Sequence, residues 1–508
     1  MLKKLRVTIS AIFFGLITFY FLDFAGILPD NFYWLADIQF VSAFLSHSLI
    51  VLIVLLALTL LLGRIYCSVI CPMGIFQDVV AWFSKHIGKK KRKYSYSPAK
   101  KTLRRIILGV IVLTLLLGFS PVLGLLDPYS IYGRMIVNVF RPGYMAVNNL
   151  LATVFSHFNN YTFYQTDIFI HSIFSFLLGI AMFLLVGYLA WKHGRTWCNT
   201  ICPVGTLLGF LSKYSLFKVR IDTDKCNNCG LCAMKCKAAC INSKENTIDH
   251  SRCINCYNCL STCKKNAFSY SLPVKKSKAV TEQSIDNYSK RQFLLTGLLT
   301  VSVIPKAVAR KSAKLLGNQK AYKIKHPILP PGAISVKHFQ RHCTSCHLCV
   351  SKCPSKILKP AFMEYGLGGI MQPTVNFEKG FCNYDCTVCG SVCPNGAIHQ
   401  LTVEEKHLTQ TGHVVFIKEN CVVITDGTSC GACSEHCPTQ AVTMIPYQDG
   451  LTIPQVNTEI CVGCGGCEFI CPVRPYRAIH IEGNPVQLQA KHFVEEEKKD
   501  INVDDFGF

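Results

Sequence analysis

No glycine-rich phosphate loop of the G-x-G-x-x-G kind occurs in this sequence, which disfavours a flavin or nicotinamide site and direct NADH oxidation. Acidic residues are few: 30 Asp and Glu stand against 53 Lys and Arg in 508 residues. Between Lys85 and Arg105 there are ten Lys or Arg and not one acid. Cysteine is scarce before residue 225, where only Cys67, Cys71, Cys198 and Cys202 occur; the rest of the 29 lie beyond it, in short runs. An odd number so distributed does not suit the disulfide framework of a small secreted domain and points to metal ligation. The formal charge of +23 raises nucleic acid as a partner, but the cations lie beside apolar segments, where the positive-inside bias of membrane proteins accounts for them. No nucleic-acid partner is expected.

What is abundant is apolar length. Half the residues are hydrophobic and the mean hydropathy is +0.29. Spanning a hydrocarbon core takes about 20 apolar residues, and 7–28, 40–63, 106–126 and 168–191 each satisfy that with at most one formal charge. Four transmembrane helices are expected, or five if the shorter run 293–304 also crosses. Lys3, Lys4, Arg6 and the basic run 85–105 place their ends in the cytoplasm; the charge-poor connections 24–40 and 127–167 read as loops facing outward. The fold class is an α-helical membrane domain joined to α+β bacterial ferredoxin-like domains. Its parts are a membrane domain (1–215), a two-cluster ferredoxin domain (216–270), a linker (271–335), a four-cluster ferredoxin domain (336–485) and a charged tail (486–508).

The membrane part contains a repeat. Gly63-Arg64-Ile65-Tyr66-Cys67 through Cys71-Pro72-Met73-Gly74 recurs as Gly194-Arg195-Thr196-Trp197-Cys198 through Cys202-Pro203-Val204-Gly205. Two duplicated hairpins are expected to bring the copies together across a pseudo-two-fold axis. Cysteines four apart share a helix face, and Pro after the second suits the first turn of a new helix, whose dipole lowers a thiolate pKa. Cys67, Cys71, Cys198 and Cys202 are therefore candidate redox or metal thiols: one iron-sulfur or copper centre, or a dithiol-disulfide couple. Asp23, His47 and His171 are ionisable groups at membrane depth and candidates for quinone protonation.

The bacterial ferredoxin run C-x2-C-x2-C-x3-C-P holds one cubane with three thiolates and sends the fourth to a second. Cys226, Cys229, Cys232 and Cys236 match it, as do Cys253, Cys256, Cys259 and Cys263, with Lys in place of Pro. Cys263 is expected on the first cluster and Cys236 on the second, with Cys240 a surplus thiol able to replace Cys236. Further on, Cys343, Cys346, Cys349, Cys353 and Cys461, Cys464, Cys467, Cys471 keep the strict run. Cys382, Cys386, Cys389, Cys393 has one inserted residue, and Cys421 stands apart from Cys430, Cys433 and Cys437. Six [4Fe-4S] clusters follow. Structural zinc more often takes separated C-x2-C pairs. Cys343-Thr344-Ser345-Cys346-His347 matches a c-type haem attachment, but Cys349 and Cys353 continue the ferredoxin spacing.

On these motifs, residues 1–270 resemble the NapH-type membrane subunit of the periplasmic nitrate reductase system, with a core shared by NosR-type and CcoG/FixG-type proteins. Residues 289–485, opening on Lys290-Arg291-Gln292-Phe293-Leu294-Leu295 and ending in the Cys461 set, resemble its NapG/MauM-type ferredoxin partner. The resemblance implies quinol oxidation at the bacterial inner membrane and electron transfer to an exported cytochrome or reductase. The alternative it implies is a CcoG-like cupric reductase or metalloenzyme assembly factor. Twin-arginine export wants Arg-Arg where this chain has Lys290-Arg291; Ala307-Val308-Ala309 resembles a cleavage site. The two-cluster domain is expected in the cytoplasm and the four-cluster domain outside.

Overall fold

The computed structural model describes residues 1–29, 32–87, 94–168, 170–272 and 320–492. The expected segment 293–304, the Lys290-Arg291 signal, Ala307-Val308-Ala309 and most of the tail lie outside the described residues.

The helical part runs α1 (Leu2–Leu22), α2 (Phe40–Leu45), α3 (Leu49–Leu62), α4 (Pro72–His86), α5 (Lys101–Leu116), α6 (Pro121–Leu126), α7 (Pro128–Met135), α8 (Arg141–Ser156), α9 (Ile173–His193) and α10 (Pro203–Ser212). By length and composition, two of these described helices could cross a membrane, α1 and α9, each 21 residues. Only 28% and 22% of their apolar windows are buried, so most of each apolar surface faces outward, unlike a soluble core helix. The other two expected spans are broken. The 40–63 stretch divides into α2 and α3 at His47, whose φ is 57°. The 106–126 stretch divides into α5 and α6 at Gly118, φ 73°, just before Pro121.

The 127–167 connection is not the loop expected from its few charges. Asp127 caps α7, accepting from the Ser130 N–H at 2.8 Å, with Pro128 in the first turn, and α7 continues through a π-helical turn, Ile136–Phe140, into α8. An Asp-Pro pair is a helix start signal that charge counting misreads as loop. α7 is central: Tyr129, Ile131, Tyr132 and Met135 are at most 1% exposed, packed by α4, α6 and α9.

In the two-cluster unit, β1 (Lys218–Ile221) pairs antiparallel with β2 (Phe268–Ser271) around two one-turn helices, Leu231–Lys235 and Asn258–Thr262. The four-cluster unit has three antiparallel pairs: β3 (Leu358–Pro360) with β4 (Pro373–Val375), β6 (Val442–Pro446) with β7 (Thr452–Val456), and β5 (Thr409–Phe416) with β8 (Ile479–Gln489). β8 runs past residue 485. Residues before 336 are tied in as well: the N–H groups of Lys325 and His326 donate to Glu482 at 2.9 and 2.6 Å, and Val375 N–H donates to Ile328 O at 3.1 Å.

The two units sit at opposite ends of α1. At its start, Lys3 Nζ reaches Ser261 Oγ at 3.4 Å; just past its end, the Asp23 carboxylate pairs with Lys352 Nζ at 2.8 Å. Twenty-one residues at about 1.5 Å each put roughly 31 Å between those ends.

Candidate functional site

The two C-x3-C-P copies meet in the interior. Cys67 and Cys198 lie in one-turn helices, Tyr66–Val69 and Thr196–Thr200; Cys71 and Cys202 are the N-caps of α4 and α10. All four are 3 to 4% exposed. The copies clasp each other through their arginines. Arg64 of the first donates to Cys198 O (3.4 Å) and Asn199 Oδ1 (2.9 Å) of the second. Arg195 of the second donates to Cys67 O at 2.6 Å. Gly74 and Gly205 are required by this closure, since a Cβ at either would collide with the carbonyl of Cys67 or Cys198 and with the arginine of the other copy. Two sulfurs have side-chain donors: Arg64 Nη2 lies 3.7 Å from Cys67 Sγ and Gln77 Nε2 lies 3.1 Å from Cys198 Sγ.

One difference between the copies carries a charge. Asp78 of α4 binds Arg195 at 2.8 Å, Arg6 at 3.2 Å and Lys237 at 3.4 Å, whereas Gly209 stands at the equivalent place in α10. Burial alone would raise the Asp78 pKa; the three cations hold it well below the usual carboxylate range. The thiols go the other way from the expectation of a lowered pKa. Burial pushes Cys71, Cys198 and Cys202 up, and neighbouring Cys residues add to it. The helix-end contact exists, Gly205 N–H to Cys202 Sγ at 3.3 Å, but desolvation outweighs it. Four buried sulfurs beside two guanidiniums at most 1% exposed suit a group that brings its own iron charge and leaves a net negative site.

In the two-cluster unit one cavity is lined by Cys236, Cys240, Cys253, Cys256 and Cys259. Cys236 therefore reaches across to the second run. Cys240 is there too, its sulfur 3.6 Å from that of Cys236, so both candidate fourth thiols face one space. This unit docks on the repeat itself. Gly63 and Gly194, φ 75° and 69°, press against Asn255 and the Lys237 carbonyl, while Arg64 donates to Ser251 O at 3.1 Å and Asn199 to Ala238 O at 3.2 Å.

In the four-cluster unit Cys343, Cys346 and Cys349 share a cavity with Cys393, and Cys421, Cys430 and Cys433 share one with Cys471. Each fourth thiol comes from a neighbouring run. The complementary groups are Cys382, Cys386 and Cys389 with Cys353, and Cys461, Cys464 and Cys467 with Cys437, whose charges act on one another. Cys382 N–H donates to Cys464 O at 2.9 Å, joining the two halves of the unit. No three of the described His, Cys, Asp or Glu residues gather tightly enough to hold a single ion. His347, of the haem-like pattern, is 1% exposed and lies between Asn138 (3.2 Å) and Met371 O (2.9 Å).

Residues that spacing rules could not find make the second docking face. Arg134 of α7, 2% exposed, donates to Thr344 O and Ser345 O, both at 3.3 Å, within the loop between Cys343 and Cys346. Ser130 Oγ joins Asp127 (2.7 Å) to Thr344 Oγ1 (2.8 Å). Of the expected protonation candidates, Asp23 and His171 line a common cavity beside Cys353, while His47 lies apart, its ring 6.2 Å from that of His342.

Three family models match. One described as a 4Fe-4S binding domain covers residues 47–90, 173–222 and 387–404, taking in both C-x3-C-P copies. Two described as 4Fe-4S dicluster domains cover 249–357 and 428–474. Among curated proteins, the chain is similar to the ferredoxin-type protein NapF of Escherichia coli, 29% identical over 32% of this chain and 90% of that protein. It is similar to the methylamine utilization ferredoxin-type protein MauM of Methylobacillus flagellatus, 32% identical over 28% of this chain and 62% of that one. It is also similar to the ferredoxin-type protein NapG of E. coli, 31% identical over 28% and 64%. No solved structure matches. Cysteine runs that exchange their fourth thiol, three iron-sulfur models and these ferredoxin-type relatives make the chain a polyferredoxin, an iron-sulfur electron-transfer protein with several [4Fe-4S] sites.

Proposed function

We propose that this chain is a membrane-embedded relay that takes electrons from quinol and passes them to an exported redox partner, such as a cytochrome or a periplasmic reductase. The observation that carries it is the placing of two ferredoxin units at opposite ends of α1, about one hydrocarbon thickness apart, with the C-x3-C-P core in the helical part between them. In this reading 40–63 and 106–126 cross as broken helices beside α1 and α9. The basic ends put the two-cluster unit in the cytoplasm and leave the four-cluster unit outside, on the bacterial inner membrane. The six [4Fe-4S] ligand groups are Cys226, Cys229, Cys232 and Cys263; Cys253, Cys256, Cys259 and Cys236; and the four C-terminal groups described above.

Cys67, Cys71, Cys198 and Cys202 form a seventh site. Their match to an iron-sulfur model and the paired Arg64 and Arg195 support an iron-sulfur centre over copper. Bound clusters supply one-electron redox steps, their potentials set by hydrogen bonds and burial. The chain's own residues fix the order of sites: Arg64 joins the core to the Cys253 loop, Arg134 seats the Cys343 loop, and Cys382 to Cys464 links the two outer halves.

The experiment is anaerobic purification in detergent, with iron and copper counted per chain and the clusters followed by EPR as a quinol analogue is added. About 28 iron per chain, four for each of seven sites, with quinol-reducible signals is the expected result. Few filled clusters with stoichiometric copper on the four core cysteines would replace the relay by a cupric reductase or assembly factor.

A further inference from the structure

Two sizeable cavities open against the helical part, one near each end of α1. The larger, about 710 Å³, lies between α1 and α4; its polar end presents Lys3, Arg6, Lys85, Lys235 and Lys237 against Asp78, a carboxylate already held by three cations. The other, about 420 Å³, is within the size range of small-molecule sites and differs in kind. Its apolar side is Phe24, Val137 and Met145, and its polar side brings Tyr164, His171 and Arg141 to the edge of Cys353.

Several independent features converge there. Val137 belongs to the π-helical turn and Arg141 follows it directly; such turns are rare and frequently occur at functional sites. The Asp23 carboxylate accepts from Lys352 Nζ at 2.8 Å and from the N–H groups of Ile27 and Leu28 at 3.0 and 3.3 Å. It is thereby fixed as a positioning residue that holds Lys352, the neighbour of Cys353, against the cavity. His171 is half-buried and lines the cavity. A ligand here meets apolar walls, the His171 ring, cations at its head and the Cys353 side chain.

We propose that this cavity is the quinol headgroup site, an inference that rests on the relay reading above and gives it a place. The hydroquinone's two O–H bonds break and a quinone forms. Its two electrons would leave one at a time to the iron-sulfur group that Cys353 would help to hold, the first passing on to a neighbouring site of the four-cluster unit before the second arrives. The two protons pass in turn to an imidazole nitrogen of His171 and on to water at the outer face. Arg141 and Lys352 hold the oxygen that carries negative charge between the two proton losses, and the isoprenoid tail leaves along Phe24 and Met145.

The test uses the full chain in detergent, purified anaerobically, with three measurements: binding of a non-reducing quinol analogue by equilibrium dialysis, the rate of cluster reduction by a short-tailed quinol, and the dithionite-reduced EPR spectrum. Met145→Trp, which fills the cavity, is expected to weaken analogue binding tenfold or more. His171→Ala is expected to slow quinol reduction at least tenfold, and His171→Gln to keep binding while losing the rate. All three should keep the wild-type dithionite spectrum. Wild-type behaviour of these variants, together with loss of binding in Ala11→Trp of the larger cavity, would overturn the site and leave the relay standing. Wild-type protein whose clusters quinol does not reduce, though dithionite does, would overturn the relay reading and this site with it.

Discussion

The two ferredoxin units are seated on the helices by the same device built from different sequence. At the start of α1, Arg64 of the repeated Gly-Arg motif donates to the carbonyl of Ser251, two residues before Cys253. At the other end, Arg134 of α7 donates to the carbonyls of Thr344 and Ser345, between Cys343 and Cys346. In both cases a guanidinium at most 2% exposed satisfies backbone acceptors of a cysteine loop and brings positive charge near its thiolates. The first face is duplicated and therefore visible as a motif. The second is single and has no periodicity or spacing to mark it. Docking a redox loop on a helical surface thus depends on one buried arginine and the carbonyls it meets, whatever sequence supplies them.

The largest expected effect separates the core from both faces. Replacing Cys67 and Cys198 together by Ser should remove about four iron per chain and stop electron exchange between the two units, while quinol still reduces the four-cluster unit. Iron analysis and freeze-quench EPR check this; electron exchange that persists would make the core cysteines structural. Next come the arginines. Arg64→Met and Arg134→Met each strand several buried acceptors at about 1–3 kcal/mol apiece, which should lower the midpoint of thermal unfolding by several degrees or more. EPR should show Arg134→Met disturbing the outer clusters alone and Arg64→Met the core and inner clusters; identical spectral changes would dissolve the comparison. The smallest pair contrasts the ends of α1. Lys352→Met leaves the Asp23 side chain buried without its cation and should cost about 3 kcal/mol, the Ile27 and Leu28 N–H groups limiting the loss. Lys3→Ala removes an exposed contact to Ser261 and should change stability by no more than about 0.5 kcal/mol. Equal losses in denaturant titrations would contradict the unequal burial.

The cysteine pattern carried much of the site before any fold was visible, because a cubane fixes ligand spacing along the chain. The reach of Cys236 to the second run could be read that way, and so could the meeting of the two C-x3-C-P copies. Pairings such as Cys393 with Cys343 depend on how two runs fold over each other, and no spacing rule states it. Apolar length located the helical segments but not their breaks at His47 and Gly118, where backbone conformation decides. Charge counting reads the side of the membrane for 127–167 but not its helices, since it does not register that Asp127 caps one of them. The dipole argument at Cys202 named a real contact and gave the wrong sign, since burial is the larger effect. The cavity beside Cys353 was half legible: Asp23 and His171 stood out as ionisable groups among apolar residues, but 148 positions apart nothing in the sequence joined them.

The most direct test of the two-sided arrangement is protease accessibility in sealed vesicles of known orientation, read with antibodies to each ferredoxin unit. Right-side-out vesicles should lose the unit spanning 320–492 while the one spanning 216–272 stays protected, and inverted vesicles should show the reverse. Both units cut from the same side would contradict the placing of the two units on opposite faces of the membrane.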